Sequence, residues 1–183
     1  LVAGKLWAKL TNGKIASVQA NLQANDIALK NTKTLKSLDI KQLTANAEWV
    51  KHNNGWEVSV DPLKVDNNQQ SPNKLYFSYQ QNKGKASYVG YLDQLPISFA
   101  TQVATLGGSA KLDNYLKQYI AKGRINNVYV TYAGIDNYAA SFNLTNVSLQ
   151  DPSKNIAANT FYAKVFVFPN MGSISLASKH FDF

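Results

Sequence analysis

The sequence contains no cysteine, a single arginine and no long apolar run. The lack of cysteine excludes disulfides, thiol catalysis and zinc–thiolate sites. No apolar stretch approaches the ~20 residues that a membrane-spanning helix requires. The lone arginine, Arg124, disfavours specific nucleic-acid recognition, because arginine is the usual bidentate ligand of phosphates and guanine edges. The net charge of +8 therefore predicts a solvated face or attraction to anionic lipid, and no nucleic-acid partner.

Motifs for catalysis are also missing. His52 and His180 are far apart, and neither belongs to a metal-binding spacing. No serine lies in a GxSxG elbow, and the glycines of "TLGGSAKLD" lack the lysine and hydroxyl of a phosphate-binding loop. Asp61 and Asp66 have turn residues as neighbours, and nothing marks them for acid–base chemistry. The sequence therefore predicts a protein that is not an enzyme and has no metal site and no cofactor.

The residues that are present describe an ordered, β-rich chain. Of its 183 residues, 45% are hydrophobic and only 16% are charged, which argues against disorder. Ten tyrosines and eight phenylalanines suit half-buried β-surfaces. The chain starts without Met and stops within an expected strand region, so we expect residues 1–183 to be a single β-rich segment of a longer protein.

Apolar residues alternate with polar residues along most of the chain, as in strands with one buried face. Examples are Val18-Ala20-Leu22-Ala24 and Tyr138-Ala140-Phe142-Leu144. Turn-rich stretches separate these runs, and Asn54-Gly55 is a strong hairpin signal. About ten strands in meander order favour antiparallel pairing. The predicted fold is mainly β: a long curved antiparallel sheet, arranged as a groove or sandwich-like, with one amphipathic helix.

That helix is predicted at about residues 109–122, between two strand-rich parts. Leu112, Leu116 and Ile120 recur at the spacing of one helix face, and we expect this stripe to pack against the sheet. The stretch after Pro96 predicts a second short helix or a turn.

At four places the apolar residues change from one alternating set to the other, with the spacing i, i+3, i+5. We call each of these a parity change. A slip of one residue would turn every later side chain to the opposite face unless a bulge or bend absorbs it. We therefore predict bulges or strand crossings there, notably at Asn25-Asp26 and Thr145-Asn146. The four sets are Ala24/Ile27/Leu29, Ile40/Leu43/Ala45, Val60/Leu63/Val65 and Leu144/Val147/Leu149.

Several stretches together resemble the YhdP-type members of the AsmA-like superfamily. Gly55-Trp56 is similar to the family's "GW" hairpin. Gly123 to Asn127 resembles a "G-x-[IL]-x-N" strand that follows a helix, and Gly172 to Leu176 resembles its final "G-x-[IL]-x-L" strand. The resemblance extends over nearly the whole chain through "LWAKLTNGKIASVQANLQANDIAL", "YLKQYIAKGRINNVYVTY", "ASFNLTNVSLQ" and "NMGSISLASKHFDF".

The resemblance implies a periplasmic segment of a long protein that is anchored in the inner membrane of a Gram-negative bacterium. Such proteins form a curved β-groove, along which phospholipid is thought to pass between the inner and outer membranes. The implied partners are phospholipid and, through the full-length protein, the two membranes; the resemblance names no envelope protein partner. A curved sheet of this kind also gives the parity changes a use, because bulges bend strands while one surface stays apolar.

The most regular apolar set follows the best-matched stretch of the family pattern. We expect these residues to line the groove and touch acyl chains, with Lys122 and Lys164 nearer its rim. The alternative is a structural or interaction module, a closed β-sandwich without cargo, which gives the same alternation. The predicted lipid-binding residues are Val128, Val130, Tyr132, Phe142, Leu144, Val165 and Val167.

Overall fold

A computed structural model describes residues 2–32, 35–65, 73–106, 120–151 and 156–182. Within them the chain forms ten strands and one helix. The elements are β1 (Val2–Thr11), β2 (Lys14–Lys30), β3 (Ser37–His52), β4 (Gly55–Val65), β5 (Asn73–Asn82), β6 (Lys85–Pro96), α1 (Ile97–Leu106), β7 (Ile120–Tyr132), β8 (Tyr138–Asp151), β9 (Ile156–Phe168) and β10 (Met171–Asp182).

All ten strands form one antiparallel sheet in which each strand pairs with its neighbours in sequence. The prediction of a mainly β fold with about ten meandering strands is confirmed. The sheet is not closed, since β1 and β10 lie at its two edges. A sandwich would need a second sheet, and the described strands all belong to the first. Of the two predicted arrangements, the structure has the open curved sheet.

Short turns join β1 to β2, β3 to β4, β5 to β6, β7 to β8 and β9 to β10, and all lie along one border of the sheet. We call this border the hairpin rim, and the opposite border, where β2, β4, β6 and β8 end, the loop rim. At Asn12-Gly13 and Lys83-Gly84 both turn residues have positive φ, between 50° and 78°. Two such residues in a row form the turn whose twist matches that of paired strands.

The predicted turn at Asn54-Gly55 is shifted by one residue. His52 pairs with Gly55, so the turn residues are Asn53 and Asn54. Gly55 instead opens β4, where a Cβ atom would lie 1.9 Å from the carbonyl oxygen of Tyr79 on β5. The glycine thus permits two strands to approach closely, and the hairpin itself is present as predicted.

The short helix expected after Pro96 is α1, Ile97–Leu106. Residues 109–119 of the longer predicted helix, with Leu112 and Leu116, lie outside the described residues. The prediction that residues 120–122 form the last turn of this helix is wrong. They begin β7, where Ile120 pairs with Gln150 and Lys122 pairs with Ser148. Pairing with β8 satisfies the backbone there, so the helical spacing of the side chains does not decide the conformation.

The sheet curves around α1. The Ile97 end of the helix packs among residues of β7, β8 and β9, including Val147 and Phe161. Phe99 and Leu106 pack on Leu38 and other apolar residues of β2, β3 and β4. A ten-residue helix is about 15 Å long, whereas β3 and β7 would be about 19 Å apart in a flat sheet. Because α1 nevertheless contacts both groups of strands, the sheet must be concave towards the helix.

The predicted parity changes coincide with irregular backbone. Asp26 has φ 55°, and the ladder between β2 and β3 steps from Asn25 to Ile27 without a pair at Asp26. Asn146 has φ 52°, and the register between β8 and β9 shifts between Leu144 and Val147. A left-handed residue turns the strand over, so the following apolar side chains return to the same face. The prediction of an interrupted ladder at both sites is confirmed.

Irregularities also accompany the other parity changes. The register shifts between Ala45 and Ala47, and again between Val60 and Leu63. Left-handed residues at Asn127 and Thr160 mark two further positions that the sequence did not single out. These left-handed or shifted positions lie in two groups of adjoining strands, β2 to β4 and β7 to β9, so the bend is present in both halves of the sheet and is not confined to one hairpin.

Gly123 completes this bend on β7. Its φ is +124°, a conformation that side chains rarely adopt, and a Cβ atom there would lie 2.7 Å from the carbonyl oxygen of Asn146 and 2.9 Å from the Cα of Val147. Only glycine fits both the conformation and the space. The close approach allows Val147, which is 1% exposed, to enter the apolar cluster beneath α1.

Candidate functional site

One face of the sheet is apolar from edge to edge. The register aligns Val18, Trp49, Val58 and Phe77 in one row across β2 to β5. This row continues through Gly90 on β6 to Val130 on β7. Neighbouring side chains along a strand point to opposite faces, so the residues between them form the other, more polar side. We call the two sides the apolar face, on which α1 lies, and the outer face.

All seven residues predicted to line a groove lie on the apolar face. Phe142 pairs with Val165, and Ala140 lies between Val130 and Val167 in the next row. The other three follow by alternation along β7 and β8: Val128, Tyr132 and Leu144.

The seven residues are divided by their surroundings. Phe142, Leu144 and Val165 pack in the cluster that contains Ile97 of α1. Val130, Tyr132 and Val167 are 40%, 45% and 37% exposed, and α1 does not cover them. The predicted site is therefore partly a core beneath the helix and partly an open apolar surface.

The helix covers the half of the apolar face next to the loop rim. Its first residue, Ile97, is buried, and its last residue, Leu106, packs beside Leu38 and Ile40. Asn31, in the connection from β2 to β3, donates a side-chain hydrogen bond of 2.7 Å from Nδ2 to the carbonyl oxygen of Leu106. This bond satisfies one of the carbonyl groups that a helix leaves unpaired at its C-terminus.

A row of aromatic rings lies on the apolar face near the hairpin rim. Successive ring centroids are between 5.3 and 6.1 Å apart, within the range of favourable tilted ring pairs. The sequence showed these residues in separate strands, but their contact depends on the register. We call them the aromatic ladder: Trp56, Phe77, Tyr79, Tyr88 and Tyr132.

The outer face carries hydrogen-bonded polar groups. Tyr76 donates to Glu57 at 3.0 Å, and Tyr162 donates to Asn146 at 2.7 Å. Lys164 also lies on this face, with Nζ 5.0 Å from the centroid of the Phe166 ring. The expectation that Lys164 lies near the rim of the apolar surface is wrong, because it alternates with Val165 in the middle of β9.

The perturbed ionisable groups are also on the outer face, and they do not form an acid–base pair for catalysis. The hydrogen bond from Lys74 to Asp61, whose atoms Nζ and Oδ2 are 2.8 Å apart, raises the pKa of Lys74. Partial burial, followed by the charge of Asp93, raises the pKa of Tyr91. Both shifts favour the protonated forms that these groups already have at neutral pH.

Among the described residues there is no cluster of side chains suited to a metal ion. His52 lies 3.3 Å from Glu57, but both side chains are partly exposed and no third ligand joins them. None of the helices in the described ranges is long and apolar enough to cross a membrane. The feature that distinguishes this chain is the apolar face itself.

Comparison with known families agrees with this geometry. The model of the family described as YhdP protein matches residues 2–183. Neither the curated proteins nor the solved structures include a significant match. The family match spans every described strand and the helix, and the resemblance noted from the sequence is confirmed. The chain belongs to the YhdP protein family.

Proposed function

We propose that the chain is a segment of an envelope-spanning protein, anchored in the inner membrane, whose apolar β-groove conducts phospholipid between the inner and outer membranes. This segment lies in the periplasm. The observation that carries the proposal is an apolar face on one open sheet, left uncovered beyond α1. Val130 and Val167 are 40% and 37% exposed, towards the hairpin-rim ends of β7 and β9, where α1 does not cover the face.

The energetics favour an acyl chain as the occupant. Each buried CH₂ group contributes about 0.8 kcal/mol, so ten buried groups contribute far more than one lysine contact with a headgroup, at about 1 kcal/mol. The surface is continuous across the sheet, so a chain that leaves one row of side chains meets another apolar row beside it. Movement along the groove then needs no reacting group, and the proposal includes no catalytic step.

Photo-crosslinking tests the proposal. Benzoylphenylalanine is placed at Val130 or Val167 in the full-length protein, and adducts formed in cells are analysed for phospholipid by mass spectrometry. The matched controls are Thr131 and Phe166, which are adjacent in sequence but lie on the outer face. We expect phospholipid adducts at Val130 and Val167 only.

The competing function is a structural module without cargo. In that case neither pair of positions captures lipid, and native mass spectrometry of the purified protein shows no bound phospholipid. Equal capture at both pairs would indicate general contact with a membrane surface, which also contradicts a groove.

A further inference from the structure

The two rims of the apolar face differ in cover. At the loop rim, α1 lies over the face, and its apolar side chains reach from the Val147 cluster to Leu38 and Ile40. At the hairpin rim no described helix lies over the sheet, and the aromatic ladder is partly exposed, with Phe77 37% and Tyr132 45% accessible. A molecule with a polar end that must remain in water can place that end at the hairpin rim.

The chemistry of the hairpin rim suits a boundary between water and hydrocarbon. Trp and Tyr are enriched at such boundaries because one end of each ring is apolar and the other is polar. Three members of the ladder are tyrosines: Tyr79, Tyr88 and Tyr132. The Tyr79 hydroxyl donates a hydrogen bond to the side chain of Gln81 near the end of β5. Further from the rim, the same strands carry aliphatic residues on the apolar face, such as Leu75 on β5 and Leu92 on β6, which pair with each other.

One lysine lies beside the ladder on the apolar face, and other lysines lie along the hairpin rim. Lys51 is exposed and pairs with Trp56 in the register between β3 and β4. It is two residues after Trp49 on β3 and therefore lies on the same, apolar face. Lys14, Lys83 and Lys85 are also exposed at the hairpin rim. Within the described ranges none of these four lysines forms an ion pair with a carboxylate. An anionic group beside the aromatic ladder would therefore meet Lys51, which has no carboxylate partner among the described residues.

The depth of the face fits one phospholipid chain. From Tyr88 to Leu95 along β6 the strand rises about 23 Å at about 3.3 Å per residue. One leaflet of a bilayer has a hydrocarbon depth of about 15 Å, half of the ~30 Å core. Leu95 pairs with Ile125, which packs in the cluster of α1, so a lipid whose glycerol lies at the ladder has room for its acyl chains along β6, with their ends at the region that α1 covers.

We propose that phospholipid lies in this segment with its phosphate at the hairpin rim, near Lys51, its glycerol esters at the aromatic ladder, and its acyl chains directed towards α1. The proposal rests on the proposed function and adds the orientation of the cargo. Headgroups leave the groove on one side only, because α1 occupies the other.

Two photoactivatable probes test the orientation. The full-length protein is incubated with phosphatidylethanolamine vesicles that contain phosphatidylglycerol with a diazirine either on its headgroup or at the end of an acyl chain. Labelled residues are mapped by mass spectrometry. We expect the headgroup probe to label strand ends around Lys51, Trp56 and Tyr79, and the acyl probe to label residues nearer α1, such as Leu92 and Phe99.

The outcomes separate the two proposals. If neither probe labels the apolar face, the proposed function fails. If the probes label it in the reverse order, or both label both rims equally, lipid binds but the orientation proposed here is wrong.

A charge variant gives an independent measure. Lys51→Gln removes the lysine at the ladder, while Lys64→Gln removes an exposed lysine of the same strand pair near the loop rim. One lysine near an anionic lipid surface changes binding about fivefold. We expect labelling by the phosphatidylglycerol headgroup probe to fall about fivefold in Lys51→Gln and to be unchanged in Lys64→Gln. Equal losses in both variants would show general surface attraction and overturn the assignment.

Discussion

Asn31 and Leu106 are 75 residues apart in sequence, and a 2.7 Å hydrogen bond joins the side-chain amide of the first to the backbone carbonyl of the second. The bond connects the turn between β2 and β3 to the last residue of α1. Since α1 begins beside β7, β8 and β9, this contact fixes the far end of the helix on the opposite part of the sheet.

Replacing Asn31 with alanine is expected to loosen the C-terminal end of α1. The carbonyl of Leu106 would lose its partner, and one hydrogen bond of this kind contributes about 1 kcal/mol. Hydrogen exchange of the α1 amides should become faster, and the free energy of unfolding should fall by about that amount. Asn21→Ala, at an exposed position of β2, is the control. Unchanged exchange in α1 would show that packing alone holds the helix.

Gly123→Ala is expected to be strongly destabilising, and Gly134→Ala serves as its control. Both glycines have similar backbone conformations, with φ of +124° and +132°, but the space around Gly134 is open. The control therefore measures backbone strain, about 1–3 kcal/mol, and the excess loss in Gly123→Ala measures the clash with Asn146. Denaturant unfolding gives both values. Equal losses would mean that the strands separate without cost at this point.

Asp26→Val tests the parity change on β2. A β-branched residue disfavours φ near 55°, and we expect a loss of about 1–2 kcal/mol of stability, from the cost of left-handed backbone. Ala28→Val, two residues further along the same strand and exposed, should be neutral or slightly stabilising because valine suits strands. If Asp26→Val is also neutral by thermal unfolding, the left-handed residue is not needed to turn the strand over.

Val147→Ala tests the core beneath α1. Val147 is 1% exposed, whereas Leu149, two residues later on β8, is 37% exposed. Removing two buried methyl groups at about 0.8 kcal/mol each, with a further cost for the cavity, predicts a loss of about 2–3 kcal/mol. Leu149→Ala removes more atoms but should cost less. The reverse order of unfolding midpoints would contradict the assignment of Val147 to the core.

Val130→Asp tests the groove directly in the full-length protein. A carboxylate on the apolar face has no partner to offset its desolvation when an acyl chain covers it, so we expect phospholipid transport to stop while the protein still accumulates. Thr131→Asp, on the outer face, should transport normally. Transport is followed by the appearance of newly made phospholipid in the outer membrane. Normal transport by Val130→Asp would remove that part of the face from the lipid path.

The strands and parity changes were predictable because their signals are local. Alternation identifies a strand without knowledge of its partner, and a polar pair such as Asn25-Asp26 marks the point where alternation changes step. The turn at Asn53-Asn54 was missed by one residue because Gly55 is required by its contact with Tyr79, a tertiary reason that no hairpin rule includes. The end of the predicted helix failed at Ile120 for a similar reason, since pairing with β8 decides its conformation.

The candidate site was predictable as a set of residues but not as a surface. Val130 and Phe142 belong to the same alternating face, and the sequence placed them together correctly. Their different exposure depends on where α1 lies, which is a long-range contact. The aromatic ladder depends in the same way on the register of separate hairpins: Tyr79 meets Tyr88, and Tyr88 meets Tyr132.

The order of the strands has a consequence for cooperativity. Because each strand pairs only with its neighbours in sequence, the sheet resembles a one-dimensional array, in which stability is a sum of local and nearest-neighbour terms and unfolding can begin at an edge. α1 departs from this scheme, since it contacts β3, β6 and β7 at once. The helix therefore makes the strands between β3 and β7 unfold together, while β1 and β10 are free to open first.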